Sequence, residues 1–406
     1  MTGDARRPWP GADGGAGGPT VLWIGPLHDG DELRQDSAAS PAAIRWSAGF
    51  LDGLAVNGVR YRRIGFLPRR IWPIGPPWVA GKCVGGTHPG TAVPYLNLPG
   101  VRSGHQSREL ARLVLRTVDE RRPDLLVTYN AEANVAWAAR AAAARGVPWF
   151  PIVMDFDDRL LDRSWRPVLE MVRGATGVAF LSHWACNACP LPRVFHIDGG
   201  IRCRMMPDQF DGPAGVVLYT GTRAPWGGLD LLLKAWRGVR HPAARLYVCG
   251  PGTSPTMAAA VAADPRIVDF GMVSEAHLRS LMEQAAVLVN PRPPFHPGNR
   301  FNFPSKVLEY LATGKPVVST RTPSFTADYD GVLFFSENET SAAFARAIDR
   351  ALALTPAERQ SHRDTVVRFV TRHGDWPAVT AAFLRWAAEC VVNPDGPVNG
   401  SSSPAR

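Results

Sequence analysis

The chain has 406 residues, 45% hydrophobic and 20% charged, the balance of a soluble globular protein too long for one ordinary core. No apolar run reaches the roughly 18 to 20 residues that a bilayer-spanning helix needs, and the first residues hold no apolar signal region. Lys and Arg exceed Asp and Glu by 45 to 36, a formal charge of +9. That charge suits an anionic small ligand or a weak peripheral membrane contact. Without an aromatic-interleaved basic run or zinc-finger spacing, nucleic acid is not an expected partner. The expected location is the cytoplasm, where the cysteines stay reduced.

Residues 1–19 are Gly-rich, poor in bulky apolar side chains, and read as a disordered tail. A first αβ domain is expected over 20–205. Its strands are expected at 20–24, 61–66, 125–129, 149–153 and 177–181, with helices at 41–56, 106–120 and 131–145. The Pro- and Gly-rich stretch 67–105 carries no clear period. A second αβ domain is expected over 206–375. Its strands are VVLYTG (216–221), RLYVCG (245–250), AVLVN (286–290), KPVVST (315–320) and VLFF (332–335). Helices are expected at 228–238, 274–284, 304–313, 340–353 and 356–372. A last helix at 376–391 bears the apolar stripe Val379, Phe383, Leu384, Ala387 and Ala388, and 393–406 reads as a second disordered tail. Alternating strands and helices imply parallel sheets, whose ligands bind at the strands' carboxyl ends.

The segment NPRPPFHPGNRFNFPSKVLEYLATGKPVVST (290–320) carries most of the chemistry. Pro304 suits a helix's first turn and Gly314 its end. Val307, Leu308, Leu311 and Ala312 form an apolar stripe, leaving Lys306, Glu309, Tyr310 and Thr313 on another face. Free N–H groups of Ser305, Lys306 and Val307, with the Lys306 ammonium, would form a diphosphate site without metal. Glu309 is placed to accept from two ribose hydroxyls. The competing reading is an exposed Lys306–Glu309 ion pair.

FPSKVLEYLATGKPVVST resembles the donor-binding signature of the GT-B glycosyltransferases of family 4, also called group 1. TGTRAPWGGLDLLLKAW (220–236), YVCGPG (247–252), DFGMVSEAHLRSLMEQAAVLVNP (269–291) and HIDGGI (196–201) resemble other family segments in the same order. The resemblance implies two Rossmann-like domains facing each other across a cleft, with a crossover helix at 376–392 returning to the first. It implies transfer of a hexosyl-type sugar with retention from a UDP- or GDP-linked donor held by the second domain. Glu309 then binds the ribose. Ser305, Gly221, Gly250 and Asn302 line the donor site, and the backbone at Met272 meets the base. No cofactor or metal is implied.

Three departures stand out. The family's usual additional Glu is Phe301 here, which leaves Asn299, Arg300 or Asn302 as substitutes. Its Arg and Lys in the first loop fall on Thr222 and Gly227, so Arg223 is the candidate phosphate contact. Met154 replaces a His at the end of a strand in the first domain, while Asp155 matches the following Asp and, like Asp158, could orient an acceptor. Gly25, with His28 and Asp29 behind it, occupies the place of the family's glycine loop. Cys186, Cys189 and Cys203 read as buried thiols rather than zinc ligands, and GPG (250–252) is too short for a dinucleotide fingerprint. The expected catalytic residues are thus Lys306, Arg223 and Asp155. The acceptor is a small soluble metabolite, such as an aminocyclitol, or a lipid-linked envelope precursor. An inactive nucleotide-sugar-binding partner protein is the alternative.

Overall fold

The computed structural model describes residues 18–28, 41–154, 165–201, 215–373 and 375–401. Asp29, Asp155, Asp158 and Cys203 lie outside them. The chain divides into two compact units, one of Met1–Leu181, Ala185–Gly200 and Trp376–Arg406, the other of Ser182–Trp184 and Ile201–Asp375.

The first unit holds β1 (Thr20–Pro26), β2 (Arg60–Phe66), β3 (Trp78–Val79), β4 (Lys82–Val84), β5 (Gly90–Ala92) and β6 (Tyr95–Leu96). After them come β7 (Leu125–Tyr129), β8 (Trp149–Val153), β9 (Val178–Phe180) and β10 (Arg193–His196). Its helices are α1 (Pro41–Val56), α2 (Arg102–Arg121), α3 (Ala133–Ala143) and α4 (Arg166–Met171); α5 (His183–Ala188) follows β9. In the second unit are β11 (Val216–Thr220), β12 (Arg245–Cys249), β13 (Ile267–Gly271), β14 (Val287–Asn290), β15 (Val317–Ser319) and β16 (Phe334–Phe335). Between and after them run α6 (Leu229–Trp236), α7 (Pro255–Ala263), α8 (Glu275–Gln284), α9 (Gly298–Phe301), α10 (Ser305–Leu311), α11 (Ser341–Leu352) and α12 (Pro356–His373). The chain returns to the first unit with α13 (Trp376–Val392) and β17 (Val398–Ser401).

The larger sheet runs β17-β10-β9-β8-β7-β1-β2-β5-β4 and is parallel except for the β4–β5 pair. That of the second unit runs β13-β12-β11-β14-β15-β16, parallel throughout. Central strands such as β7 and β8 are buried at every residue, as parallel strands covered on both faces must be. The second unit's core gathers Leu229, Leu232 and Trp236 of α6 and Phe344 and Ile348 of α11. Side chains of Ser254, Ser274 and Thr340 cap α7, α8 and α11 by accepting from the N–H three residues on.

α13 packs on α1 through close backbone approach. A Cβ on Gly49 would lie 2.0 Å from the Trp376 indole nitrogen, and one on Gly53 would lie 2.4 Å from the Trp376 carbonyl. Trp46 meets Trp376 edge-on at 5.1 Å, and Phe50 meets Phe383 at 5.4 Å. The expected disordered tail at 393–406 is corrected: Val398–Ser401 pairs in parallel with Arg193–His196, and the Trp386 indole donates to the Val398 carbonyl at 3.0 Å. Parallel pairing lets a buried valine and three polar or small residues become the edge of an already formed sheet.

Candidate functional site

In the second sheet the strand order reverses between β11 and β14, so the loops leaving their carboxyl ends diverge and open a crevice. β11 ends at Thr220, followed by Gly221, whose N–H donates to the Cys249 carbonyl at 2.8 Å. Gly250 stands at φ 141, with its Cα hydrogen where a Cβ would lie 1.9 Å from the Gly221 carbonyl. Only glycine fits there. A Cβ on Gly221 would in turn lie 2.6 Å from the Lys306 Nζ and 2.7 Å from the Tyr219 hydroxyl. The two glycines therefore let backbone and a cation come together at one strand end.

Lys306 reaches that point from α10. Its Nζ donates to the Thr220 carbonyl at 2.5 Å and sits 5.9 Å from the Tyr219 ring centre. The Tyr310 hydroxyl accepts from the Thr220 N–H at 3.1 Å and meets the Thr220 hydroxyl at 2.8 Å. Two side chains of α10 thus clamp the end of β11. Tyr310 and Thr313 are buried along with the apolar stripe rather than set apart on another face; Lys306 is half-buried and Glu309 exposed. Burial on the sheet wins at Tyr310 because its hydroxyl finds partners there.

The start of α10 also differs from expectation. Pro304, at φ −74 and ψ 81, precedes the helix as its cap and makes a tight inverse γ-turn. That turn sends the Ser305 N–H to the Phe303 carbonyl at 2.9 Å, and the Val307 N–H bonds to the Pro304 carbonyl at 2.8 Å. Neither is an open donor for a phosphate. The positive charge of this corner comes from the Lys306 side chain.

Arg223, in the loop after β11, is held by Asp269 near the end of β13. Its guanidinium donates to both carboxylate oxygens, at 2.8 and 2.5 Å, and its side chain is only 8% exposed. Burial works to raise the Asp269 carboxyl, but the Arg223 fork, its charge and the Gly271 N–H outweigh it and hold the group below its ordinary value. Asp269 escaped the sequence reading because a lone Asp in a strand signals nothing by spacing. It fixes the direction of Arg223, whose position one residue late relative to the family had left its reach open. Cys249, beside Lys306, has its thiol pushed up to about 11 chiefly by burial, so it is neutral and no nucleophile.

The loop between β14 and α10 is built rather than slack. Asn299, 1% exposed, donates to the Trp226 and Pro293 carbonyls at 3.2 and 2.9 Å. Phe301 is buried, with its ring 5.1 Å from that of Trp184. Asn302 is half-buried, and its side-chain oxygen has no hydrogen-bond partner among the described residues. Trp226, whose carbonyl meets this loop, and Phe295 within it are exposed apolar surface, as is Met272 after β13.

Of the residues singled out in the sequence, Lys306, Gly221, Gly250 and Arg223 gather at the ends of β11–β13. Ser305 and Glu309 lie on α10, Met272 follows β13, and Asn302 precedes α10. Gly25 belongs to the first unit, where the sheet order reverses between β1 and β7. A Cβ on it would lie 2.8 Å from that of Tyr129. Beside it, Asn130 at φ 62 accepts from the Met154 N–H at 2.7 Å. The imidazole of His28 is lowered to about 4 by burial and by the Arg63 charge. Asp155 lies outside the described residues. Cys186 and Cys189 are free thiols, raised chiefly by burial.

Residues 214–353, which carry this crevice, match the family Glycosyl transferases group 1. They form a group 1 glycosyltransferase domain. The fold of the whole chain is similar to that of sucrose-phosphate synthase from Thermosynechococcus elongatus (15% identity, TM-score 0.66), over 92% of this chain and 99% of that one. It is similar to a glycosyltransferase from Rickettsia africae (14%, TM-score 0.63), over 92% and 99%. A third is Anabaena HepE, solved with UDP and glucose (14%, TM-score 0.62), over 90% and 99%. These likenesses cover both units, and the fold is GT-B. A sequence search of curated proteins matches none to this chain. Within the group 1 domain, the conjunction of Lys306, Arg223 and the two glycines occupies the switch point of its sheet.

Proposed function

We propose that the protein transfers a hexosyl-type sugar from a nucleotide sugar, UDP- or GDP-linked, to an acceptor hydroxyl. The observation that carries this is the Lys306 ammonium, seated at the switch point of a group 1 domain. One ammonium proton goes to the Thr220 carbonyl, which holds the positive charge at the strand end where a leaving diphosphate would sit. Arg223, aimed by Asp269, adds a second cation. Glu309, exposed on α10, receives the ribose hydroxyls, and the exposed surface at Met272 meets the base. Asn302 and Ser305 offer polar groups to the donor, and Phe301 leaves the sugar a less polar wall than a second Glu would.

As the glycosidic bond breaks, charge grows on the diphosphate, and groups already oriented toward it stabilise the transition state more than the ground state. No divalent cation and no protein nucleophile enter this scheme. Retention rests on the family resemblance. In the first unit, Gly25 and Asp155 serve the acceptor side, and the chain works in the cytoplasm. A thermal-shift panel of UDP, GDP, ADP and their sugars tests the reading, since a ligand that binds only the folded state raises its melting temperature. A donor that stabilises the fold and is turned over supports the enzyme. A donor that binds but is neither transferred nor hydrolysed supports an inactive nucleotide-sugar-binding protein instead, and activity lost in EDTA and restored by Mn²⁺ overturns the metal-free scheme.

A further inference from the structure

The stretch 67–105, without period in the sequence, is a rigid platform in the structure. Asn97, fully buried, donates through its side chain to the Arg70 and Pro76 carbonyls at 2.7 and 2.8 Å. Its backbone accepts from the Trp72 N–H at 3.1 Å and donates to the Pro77 carbonyl at 2.8 Å. Gly75 allows the chain to fold back, since a Cβ there would lie 1.9 Å from the Arg70 carbonyl. Arg102, in the first turn of α2, donates to the Arg69 carbonyl at 3.2 Å. β3 pairs with β6 beneath them, and buried Tyr95 donates to the Leu67 carbonyl at 2.5 Å.

On this stitched platform Ile71, Trp72, Ile74, Trp78 and Val101 remain 38 to 70% exposed. Single exposed apolar residues need no explanation, but five on one braced segment do. Along the chain the charge here is one-sided, although Asp52 reaches the stretch to pair with His88 at 3.1 Å. No acidic residue occurs between Asp52 and Glu109, while Arg62, Arg70, Lys82, Arg102 and Arg108 fall within that stretch. A soluble protein partner would have to cover both tryptophans while matching a predominantly positive segment. An anionic bilayer surface does both: indole and aliphatic side chains enter the headgroup boundary, and Arg side chains stay with the phosphates. Because hydrogen bonds already hold the loop, insertion requires little ordering.

We propose that this platform docks the first unit on the surface of an anionic lipid membrane, with Trp72 and Ile74 entering the interface and Arg70 lying among the headgroups. The inference does not rest on the donor reading. It places the acceptor side of the protein where a lipid-linked acceptor would be found.

Co-sedimentation of the full chain with vesicles of phosphatidylcholine alone, or mixed with phosphatidylglycerol, tests it at low and high salt. The expected result is binding to the mixed vesicles only, weakened by salt. Arg70→Gln, at an exposed position, should lower the partition by about fivefold, the effect of one basic residue at such a surface. A Trp72→Ala/Ile74→Gln double variant should lower it at least tenfold. Melting curves confirm that both variants fold, and Arg70→Gln alone carries the test if the double variant does not. Equal binding to neutral and anionic vesicles, or equal pelleting of wild type and variants, overturns the proposal. So does light scattering that shows self-association abolished by the same substitutions, because the patch would then join two copies of the chain.

Discussion

The two larger sheets reverse their strand order, between β1 and β7 in the first unit and between β11 and β14 in the second. Glycine stands at both reversals, because both need close backbone approach: Gly25 against Tyr129, Gly221 and Gly250 against each other. The chemistry differs. In the second unit a lysine and a carboxylate-aimed arginine meet the glycines. In the first, the described surroundings of Gly25 include the Tyr129 and Trp23 rings, the amide of Asn130, and His28, kept neutral by burial and by Arg63, whose guanidinium is turned to the His88 carbonyl. One topology thus supplies two crevices, and the side chains on the loops decide which can stabilise a departing anion.

The largest expected effect breaks that difference. Lys306→Ala removes the ammonium and leaves Arg223 as the cation of the second crevice. kcat should fall on the order of a hundredfold or more, as loss of one preorganised charge stabiliser does. Stability should fall by about 1 kcal/mol, because one hydrogen bond to the Thr220 carbonyl is lost. Lys306→Arg should recover only part of the rate, since a planar fork cannot occupy the ammonium's place. Steady-state kinetics with a melting curve for each variant decide the matter; a near-normal kcat in Lys306→Ala would place the diphosphate elsewhere.

Glu309→Ala comes next. It should weaken nucleotide binding by about 1 to 3 kcal/mol, the range for charge-assisted hydrogen bonds left unmade. Because Glu309 is exposed and off the buried stripe, the melting temperature without ligand should hardly move. Calorimetry with the nucleoside diphosphate checks this, and unchanged affinity would remove the ribose assignment.

What the sequence disclosed follows from where physics is local. Fully buried parallel strands announce themselves as unbroken apolar runs, so Leu125–Tyr129 and Trp149–Val153 fall where they were expected. α1 over Pro41–Val56 also matches, while α10 proved shorter than expected by one residue at its start, where Pro304 turns tightly, and by two at its end, where Thr313 and Gly314 bond back three residues. The platform at 67–105 was illegible because its order comes from Asn97 bonding to carbonyls far away in sequence, which no periodicity records. β17 was missed for the same reason: Val-Asn-Gly-Ser has no strand character until β10 offers it an edge. Lys306 and Glu309 were legible as a motif, but the clamp of Lys306 and Tyr310 on Thr220 was not.

A smaller effect is expected at Asp269, which sets the second crevice apart by aiming Arg223. Asp269→Asn keeps the shape but loses the charge that holds a mostly buried guanidinium, and should lower stability by about 1 to 2 kcal/mol. If the pair only stabilises the fold, KM for the donor stays constant. If Asp269 positions Arg223 for the phosphates, donor KM or kcat worsens in step with Arg223→Ala, and the double variant is no worse than either single one. A double-mutant cycle on both readouts separates the cases.

The smallest effect concerns two histidines, one in each unit, held neutral in the same way. His28 and His362 are each lowered from 6.5 to about 4, first by burial and then by a neighbouring arginine, Arg63 in one case and Arg359 in the other. The sign follows from linkage. Between pH 6.5 and 4 the unfolded chain takes up a proton at each histidine and the folded chain does not, so the unfolded state gains. Their contribution is complete above pH 6.5, declines as pH falls toward 4, and changes no further below it. Each side chain keeps some solvent contact, so about 1 kcal/mol apiece is the expected size after screening. Asp269 titrates in the same direction at lower pH, so the informative quantity is the slope difference between variants. Denaturant unfolding of wild type, His28→Gln, His362→Gln and the double variant from pH 7.5 to 4.5 measures it. Each single substitution should flatten part of the acid-side decline and the double should flatten the sum, because the residues lie in separate units and share no partner. A double variant with the wild-type slope would mean that neither imidazole is kept neutral, and His28 would then bring a titrating cation to the first crevice near pH 6.5.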